Sequence, residues 1–122
     1  MKKILIVEDD NILAKAFTIA LKDAGFDTMV AIDGEEALEK VRNFKPDLIL
    51  LDLIIPIKSG EDVLAEIKRD DELKNIPVLV STVKSDTDSI GRCAALGMRG
   101  YFIKAHYTLD DIIKEVKKVL GE

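Results

Sequence analysis

The chain has 122 residues and carries 18 Lys and Arg against 23 Asp and Glu, a formal net charge of -5 at pH 7. This length suits one domain, and 48% apolar residues are enough to build a core and exclude intrinsic disorder. The acidic balance argues against direct nucleic-acid binding, which depends on Lys and Arg. The one cysteine, Cys93, excludes an internal disulfide. No targeting or membrane segment is evident, so we expect a cytoplasmic protein that does not contact a membrane.

Short apolar runs alternate with stretches of helical periodicity along the chain. The runs that predict strands cover residues 4–7, 28–31, 48–51, 78–80 and 100–103. Four apolar stripes predict amphipathic helices: Leu13, Ala16, Phe17, Ala20 and Leu21; Ala37, Leu38 and Val41; Val63, Leu64 and Ile67; and Ile112, Ile113, Val116, Val119 and Leu120. A further helix is predicted over about 86–96, although it contains Gly91, which costs about 1 kcal/mol relative to Ala.

Helix-start signals precede several of these stripes. Asp10 and Ser59 are predicted N-caps, Asp33 is predicted to open a capping box with Glu36, and Thr108 with Asp111 predicts a cap for the last helix. Five strands that are apolar on both faces, alternating with five helices, predict an α/β fold in which helices cover both sides of a parallel sheet. Right-handed crossovers restrict the topology to a doubly wound one.

Charged and hydroxyl side chains follow four of the five predicted strands, at the edge where a doubly wound sheet binds its ligands. They are Glu8, Asp9 and Asp10 after the first strand, Asp52 after the third, Ser81 and Thr82 after the fourth, and Lys104 after the fifth. Taken singly, each is typical of a solvated loop or, for Asp10, of a helix cap. Their shared edge favours a functional site, provided that the first and third strands are neighbours.

Carboxylates gathered at one edge are costly, because two like charges about 4 Å apart repel by about 4 kcal/mol at an effective dielectric of about 20. A raised carboxyl pKa or a bound cation must offset this repulsion. Oxygen ligands favour Mg²⁺, and Mn²⁺ can substitute. Thr82 and Lys104 beside a carboxylate and a divalent metal form a cradle for a phosphoryl group, with Asp52 as the nucleophile.

These residues match a known pattern: the sequence resembles a response-regulator receiver domain, the phosphoacceptor half of two-component signalling. The segments that carry the resemblance are 4–10, 50–56 followed by Ser59 and Gly60, 76–78 leading to Thr82, and Tyr101 with Lys104. The likeness extends from residue 4 to residue 120. It implies a flavodoxin-like five-stranded sheet of order 2-1-3-4-5 and a single receiver domain over 1–122 with no output domain.

The resemblance also implies how the site works. Asp52 accepts a phosphoryl group from a histidine kinase or a histidine phosphotransfer protein, and the chain catalyses only its own phosphorylation and dephosphorylation. The implied Mg²⁺ ligands are Asp9 and Asp52 directly, Glu8 through water, and the backbone carbonyl of Leu53.

Further residues are implied to respond to the phosphoryl group. Thr82 hydrogen-bonds its oxygens, Lys104 pairs with Asp52 or with the phosphate, and Tyr101 changes rotamer as Thr82 moves. This movement alters the face made by the fourth helix, fifth strand and fifth helix, which binds an unidentified downstream protein or a second copy of the chain. Ile54 and Lys84 lie where the family tunes dephosphorylation, and an apolar Ile54 predicts a long-lived phosphoryl group.

The sequence departs from the family pattern at two positions. Ala105 replaces the usual proline after Lys104, and since a cis bond before a non-proline residue costs about 2.5–4 kcal/mol, we expect a trans peptide there. Val83 stands where a smaller residue is usual. Both departures leave open an alternative class, a pseudo-receiver that acts as an interaction module without phosphorylation.

Two other classes of similar topology fit poorly. A haloacid-dehalogenase-type phosphatase needs a second Asp where Ile54 stands, and a flavodoxin needs a hydroxyl- and glycine-rich loop where the chain has three acidic residues, 8–10.

Overall fold

The computed structural model describes all residues, 1–122, and its strands and helices alternate from end to end. The strands are β1 (Lys3–Val7), β2 (Asp27–Ala31), β3 (Leu48–Leu51), β4 (Val78–Thr82) and β5 (Gly100–Ile103). The helices are α1 (Asn11–Asp23), α2 (Gly34–Phe44), α3 (Gly60–Arg69), α4 (Thr87–Ala95) and α5 (Leu109–Leu120). A single 3-10 turn, Lys104–His106, links β5 to α5 and was not predicted.

All five strands are parallel and lie in the order β2-β1-β3-β4-β5, which confirms the predicted doubly wound, flavodoxin-like sheet. The register pairs Val7 with Leu51 and Leu51 with Val80, so the carboxyl ends of the three central strands finish side by side. After β1 the chain moves outward to β2 and then returns to the other side of β1. The crevice for a ligand therefore lies between the ends of β1 and β3.

Alternate residues of each central strand belong to two separate apolar clusters, one on each face of the sheet. The cluster under α2, α3 and α4 takes Leu5, Val7, Ile49, Leu51, Val78 and Val80. The cluster under α1 and α5 takes Ile4, Ile6, Leu48, Leu50 and Leu79. Because both faces are buried, the strands are continuous apolar runs rather than alternating ones.

The predicted helix starts are present with one correction. Side-chain oxygens of Asp10 and Ser59 accept hydrogen bonds from the first turns of α1 and α3, and Thr108 forms a full capping box with Asp111. The box predicted for α2 is only half formed. Asp33 accepts from the amide of Glu36 at 2.8 Å, but the Glu36 carboxylate bonds instead to the Ile32 amide and to Lys40.

The fourth helix is one residue shorter at each end than the predicted range of about 86–96, because Asp86 and Leu96 are its capping residues. Gly91 lies at its exposed middle, with open space where a side chain would project.

Every peptide bond is trans, including the one before Ala105, as predicted. None of the helices has the length and apolarity that crossing a membrane would require.

Candidate functional site

An ammonium group lies between two nearly buried carboxylates at the carboxyl ends of β1, β3 and β5. Glu8 directly follows β1 and Asp52 directly follows β3, with exposures of only 3% and 6%. Lys104, the first residue after β5, places its Nζ 2.7 Å from Glu8 Oε1 and 2.8 Å from Asp52 Oδ2. The sheet order brings the three together across 96 residues of sequence. The adjacency of the first and third strands, on which the predicted site depended, is therefore present.

Backbone amides hold the two carboxylates in place. The Ile54 amide donates to Asp52 Oδ1 at 3.0 Å, and the Asp10 amide donates to Glu8 Oε2 at 3.2 Å. Gly60, the first residue of α3, packs directly on the backbone of Asp52: a Cβ there would stand 2.3 Å from the Asp52 carbonyl oxygen. Only glycine allows the helix start to come this close to the site.

Burial and charge shift the pKa values in this group. Burial raises the pKa of Glu8, and the nearby Asp52 charge adds to that rise against the lowering effect of Lys104. Burial alone would lower the pKa of Lys104, but its hydrogen bonds to Asp52 and Glu8 outweigh burial and raise it. Lys104 is therefore held as a cation, while ionisation of Glu8 is disfavoured by the fold.

Carboxylate oxygens of Glu8, Asp9 and Asp52 all lie within 4.8 Å of one another. Asp9 is exposed, whereas the other two are buried. The Lys104 ammonium bonds to Glu8 and Asp52 but not to Asp9, so one of the three carboxylates has no cationic partner in the protein. An all-oxygen set of this kind is suited to a hard divalent cation such as Mg²⁺ or Mn²⁺.

The backbone carbonyls of the two residues after Asp52 differ in their hydrogen bonding. The carbonyl of Leu53, the predicted metal ligand, already accepts a hydrogen bond from the Gly60 amide at 3.0 Å. The carbonyl of Ile54 accepts no hydrogen bond within the protein. The Ile54 oxygen is therefore the freer of the two backbone ligands.

Thr82 and Tyr101 belong to a second hydrogen-bonded group, which has no hydrogen bond to the carboxylates. Thr82 is completely buried, and its Oγ1 accepts a long hydrogen bond of 3.4 Å from the Lys84 amide but forms none with Asp52 or Lys104. The Tyr101 hydroxyl donates to the Lys84 carbonyl at 2.9 Å. Burial raises the pKa of Tyr101 to about 12. The backbone of Lys84 thus connects the two predicted switch residues.

The remaining predicted positions lie at the rim. The side chains of Ile54 and Val83 are exposed by 51% and 63%, facing solvent beside the carboxylates. The Lys84 ammonium is turned toward Glu61 of α3, 3.3 Å from its Oε1. Cys93 is buried in the core and His106 is exposed, and neither joins the site.

Glu61 is a residue that the sequence reasoning missed. Its carboxylate binds Lys84 and Arg92, which lie 23 and 31 positions further along the chain. A carboxylate in the first turn of a helix is ordinary in sequence, because it interacts favourably with the helix dipole. No local signal therefore distinguished Glu61 from Asp62 beside it.

The sequence matches the family model described as the response regulator receiver domain over residues 4–117. The chain belongs to the response regulator receiver domain family. This membership confirms the resemblance found in the sequence and places the receiver domain among two-component signalling proteins.

Two relatives differ in how much of their own length this chain covers. The receiver domain is 35% identical over 126 residues to the polar-differentiation response regulator DivK of Brucella anthropi, covering 99% of this chain and 98% of DivK. It is 40% identical over 103 residues to the DNA-binding response regulator MtrA of Mycolicibacterium paratuberculosis, covering 84% of this chain but only 44% of MtrA. The chain thus spans less than half the length of MtrA.

Among solved structures, the Mn²⁺-bound form of the response regulator Rcp1 has a TM-score of 0.83 with 32% identity, covering 99% of this chain and 93% of that one. The likeness extends over the whole sheet and its helices. The structures similar to this chain therefore include a response regulator with bound Mn²⁺.

Proposed function

We propose that this receiver domain is a phosphorylation-activated switch in which Asp52 accepts a phosphoryl group from a partner histidine kinase or histidine phosphotransfer protein. The observation that carries the proposal is the position of Lys104, whose ammonium bonds to both Asp52 and Glu8 at the carboxyl edge of the sheet. A nearly buried carboxylate beside a fixed cation and further carboxylates suits phosphoryl transfer, which requires mainly positioning and charge neutralisation.

In the proposed reaction, an Asp52 carboxylate oxygen attacks the phosphorus of a phosphohistidine. A P–O bond forms while the P–N bond breaks, and its electron pair returns to the imidazole nitrogen. The Ile54 amide, which donates to Asp52 Oδ1, orients the carboxylate for this attack. Lys104 can donate to an oxygen of the transferred group, because its ammonium already lies within hydrogen-bonding distance of Asp52.

The same residues fit a divalent cation, because the oxygens of three carboxylates lie close together and the one ammonium beside them bonds to only two of the three. We assign Asp9 and Asp52 as direct ligands of Mg²⁺, with Mn²⁺ as a substitute, and Glu8 as a ligand through water. Leu53 was the predicted backbone ligand, but the unengaged carbonyl of Ile54 is the better candidate. When bound, the cation supplies neutralisation of the negative charge on the transferring phosphoryl group.

The output of the switch is proposed to pass through Thr82 and Tyr101. Thr82 moves toward the phosphoryl oxygens, and the Lys84 backbone links that movement to the Tyr101 hydroxyl. The surface formed by α4, β5 and α5 then changes and binds a downstream protein or a second copy of the chain. The side chain of Ile54, exposed and apolar, offers no hydrogen bond to an attacking water. Together with Lys84, this side chain sets the lifetime of the phosphoryl group. The cytoplasm is the proposed compartment.

The test is intact-protein mass after incubation with acetyl phosphate and Mg²⁺. We expect one added phosphoryl group in the wild-type protein and none in Asp52→Asn or in a sample treated with a chelator. Asp10→Asn is the matched control, since Asp10 is the neighbouring carboxylate that caps α1 and Asn caps a helix equally well. That variant should accept the phosphoryl group normally.

A folded wild-type protein that gains no phosphoryl group would contradict the proposal. It would favour the alternative function, a pseudo-receiver that binds its partner without phosphorylation, and would draw attention to Ala105 and Val83. Phosphorylation that persists in Asp52→Asn would place the acceptor elsewhere.

A further inference from the structure

Glu61 joins three parts of the structure that are distant in sequence. It is the second residue of α3, and its side chain is only 16% exposed. Its Oε2 accepts from Arg92 of α4, at 2.6 Å from Nη2 and 3.1 Å from Nε, and its Oε1 lies 3.3 Å from the Lys84 ammonium. Glu61 is the one carboxylate in the protein that forms ion pairs with two basic residues.

Both partners of Glu61 are themselves tied to the switch region. The Lys84 backbone holds Tyr101 through its carbonyl and Thr82 through its amide. The Arg92 guanidinium also donates to the hydroxyl of Ser89, a fully buried residue in the first turn of α4. Movement of the Glu61 carboxylate would therefore break the ion pairs that join α3 both to the β4–α4 loop, which contains Lys84, and to α4.

The fourth helix buries few residues against the rest of the protein. Its only buried residues are Ser89 and Cys93, whereas α3 buries Gly60, Val63, Leu64, Ala65 and Ile67. Gly91 at its centre is exposed, with open space where a side chain would project, and glycine weakens the helix further. With few buried residues in α4, the ion pairs to Glu61 add a polar connection from α3 to α4 and to the loop before it.

We propose that Glu61 is a positioning residue. Through Lys84 and Arg92 it holds the β4–α4 loop in the conformation in which the Tyr101 hydroxyl bonds to the Lys84 carbonyl, the inward conformation of Tyr101. It thereby sets the ratio of inward to outward Tyr101 before any phosphorylation. The link to signalling rests on the proposed function of Asp52. The link to Tyr101 does not, because it depends only on contacts within this chain.

The accessibility of Tyr101 provides a direct readout. The chain has no Trp and two Tyr, so in a Tyr107→Phe background all tyrosine fluorescence comes from Tyr101. Acrylamide quenching then measures how often its ring is outward. In this background, Glu61→Gln should shift the ratio of inward to outward Tyr101 toward outward by about fivefold or more.

Arg92→Gln should produce the same shift, and the double variant should add little to either single one, because both remove the same contact. Arg92 is 55% exposed, so its replacement tests the proposal even if Glu61→Gln fails to fold. Glu66→Gln is the matched control: it neutralises another α3 carboxylate that pairs with Lys58 and should leave Tyr101 quenching unchanged.

The rate of phosphorylation by acetyl phosphate and Mg²⁺ is the second readout. If the inward conformation favours the phosphorylated state, Glu61→Gln and Arg92→Gln should both slow the reaction, while Glu66→Gln should not. Unchanged quenching in folded Glu61→Gln and Arg92→Gln would overturn the proposal, as would an equal shift in Glu66→Gln. If the wild type is never phosphorylated, the proposed function fails, yet the quenching result still decides the role of Glu61.

Discussion

At the scale of single residues, the loop between β3 and α3 contains a conformation that its sequence does not favour. Ile57 has φ of 72°, in the left-handed region, and is 70% exposed. Its neighbours enforce this geometry: the Lys58 amide donates to the Pro56 carbonyl at 2.8 Å, and the Gly34 amide donates to the same oxygen at 3.2 Å. A β-branched residue is strained there and gains little from burial.

Replacement of Ile57 by Asn should therefore stabilise the protein by about 1 kcal/mol, because Asn tolerates a positive φ better than a β-branched residue does. Chemical denaturation of the two proteins measures the difference. Ile32→Asn is the matched control, since Ile32 is another exposed loop isoleucine, 48% accessible, without a positive φ. An equal gain in both variants would mean that removal of exposed apolar surface, rather than relief of strain, is responsible.

At the scale of elements, the helices differ in how they are anchored. α2 and α3 each bury four or more residues against the sheet, whereas α4 buries two and depends on its Asp86 cap and on Arg92. Gly91 sits in the exposed middle of α4, where a Cβ would have no atom of another residue within 4 Å. The fourth helix is thus the element whose stability is most easily changed.

Gly91→Ala should stabilise the protein by up to about 1 kcal/mol, since Ala restricts the unfolded chain and meets no obstacle in the helix. Thermal unfolding followed by circular dichroism is the measurement. Gly34→Ala should do the opposite, because a Cβ at that helix start would stand 2.3 Å from the Lys58 carbonyl oxygen. A loss of stability in Gly91→Ala would show that α4 needs flexibility at this position in the folded state.

At the scale of the whole molecule, one lysine that follows β5 balances carboxylates that follow two other strands, β1 and β3. The Lys104 ammonium bonds to Glu8 and Asp52, and its own side chain is 20% exposed. Burial raises the pKa of Glu8. A carboxyl whose pKa is raised on folding contributes less stability as the pH rises from its unfolded value through its folded one, because ionising it in the folded state is the harder step.

Lys104→Met should therefore destabilise the protein by about 3 kcal/mol near neutral pH, where two buried carboxylates lose their counter-charge. The loss should shrink as the pH is lowered and Glu8 takes up a proton, and Mg²⁺ should also reduce it. Denaturant unfolding across a pH series measures both effects. A loss of stability that is the same at every pH would mean that packing of the lysine stem, not its charge, is what the fold requires.

The sequence by itself determined the strand positions, most helix caps and the set of residues at the carboxyl edge. These features are local or periodic: an apolar run of four residues, a Ser59 cap or an acidic pair after a strand can be seen without knowing what packs on it. The doubly wound topology followed because right-handed crossovers leave few alternatives. The predicted family membership followed from several such motifs in order.

Only the tertiary structure decided which of these residues meet. Lys104 could bond to both Glu8 and Asp52 only once β1, β3 and β5 were in one sheet, and the Gly60 amide engaged the Leu53 carbonyl only once α3 had packed. The hydrogen bond between Thr82 and the Lys84 amide depends on the β4–α4 loop, and the two ion pairs of Glu61 belong to the same class as the bonds of Lys104. Contacts between residues tens of positions apart depend on the packed arrangement, and no local pattern in the chain encodes them.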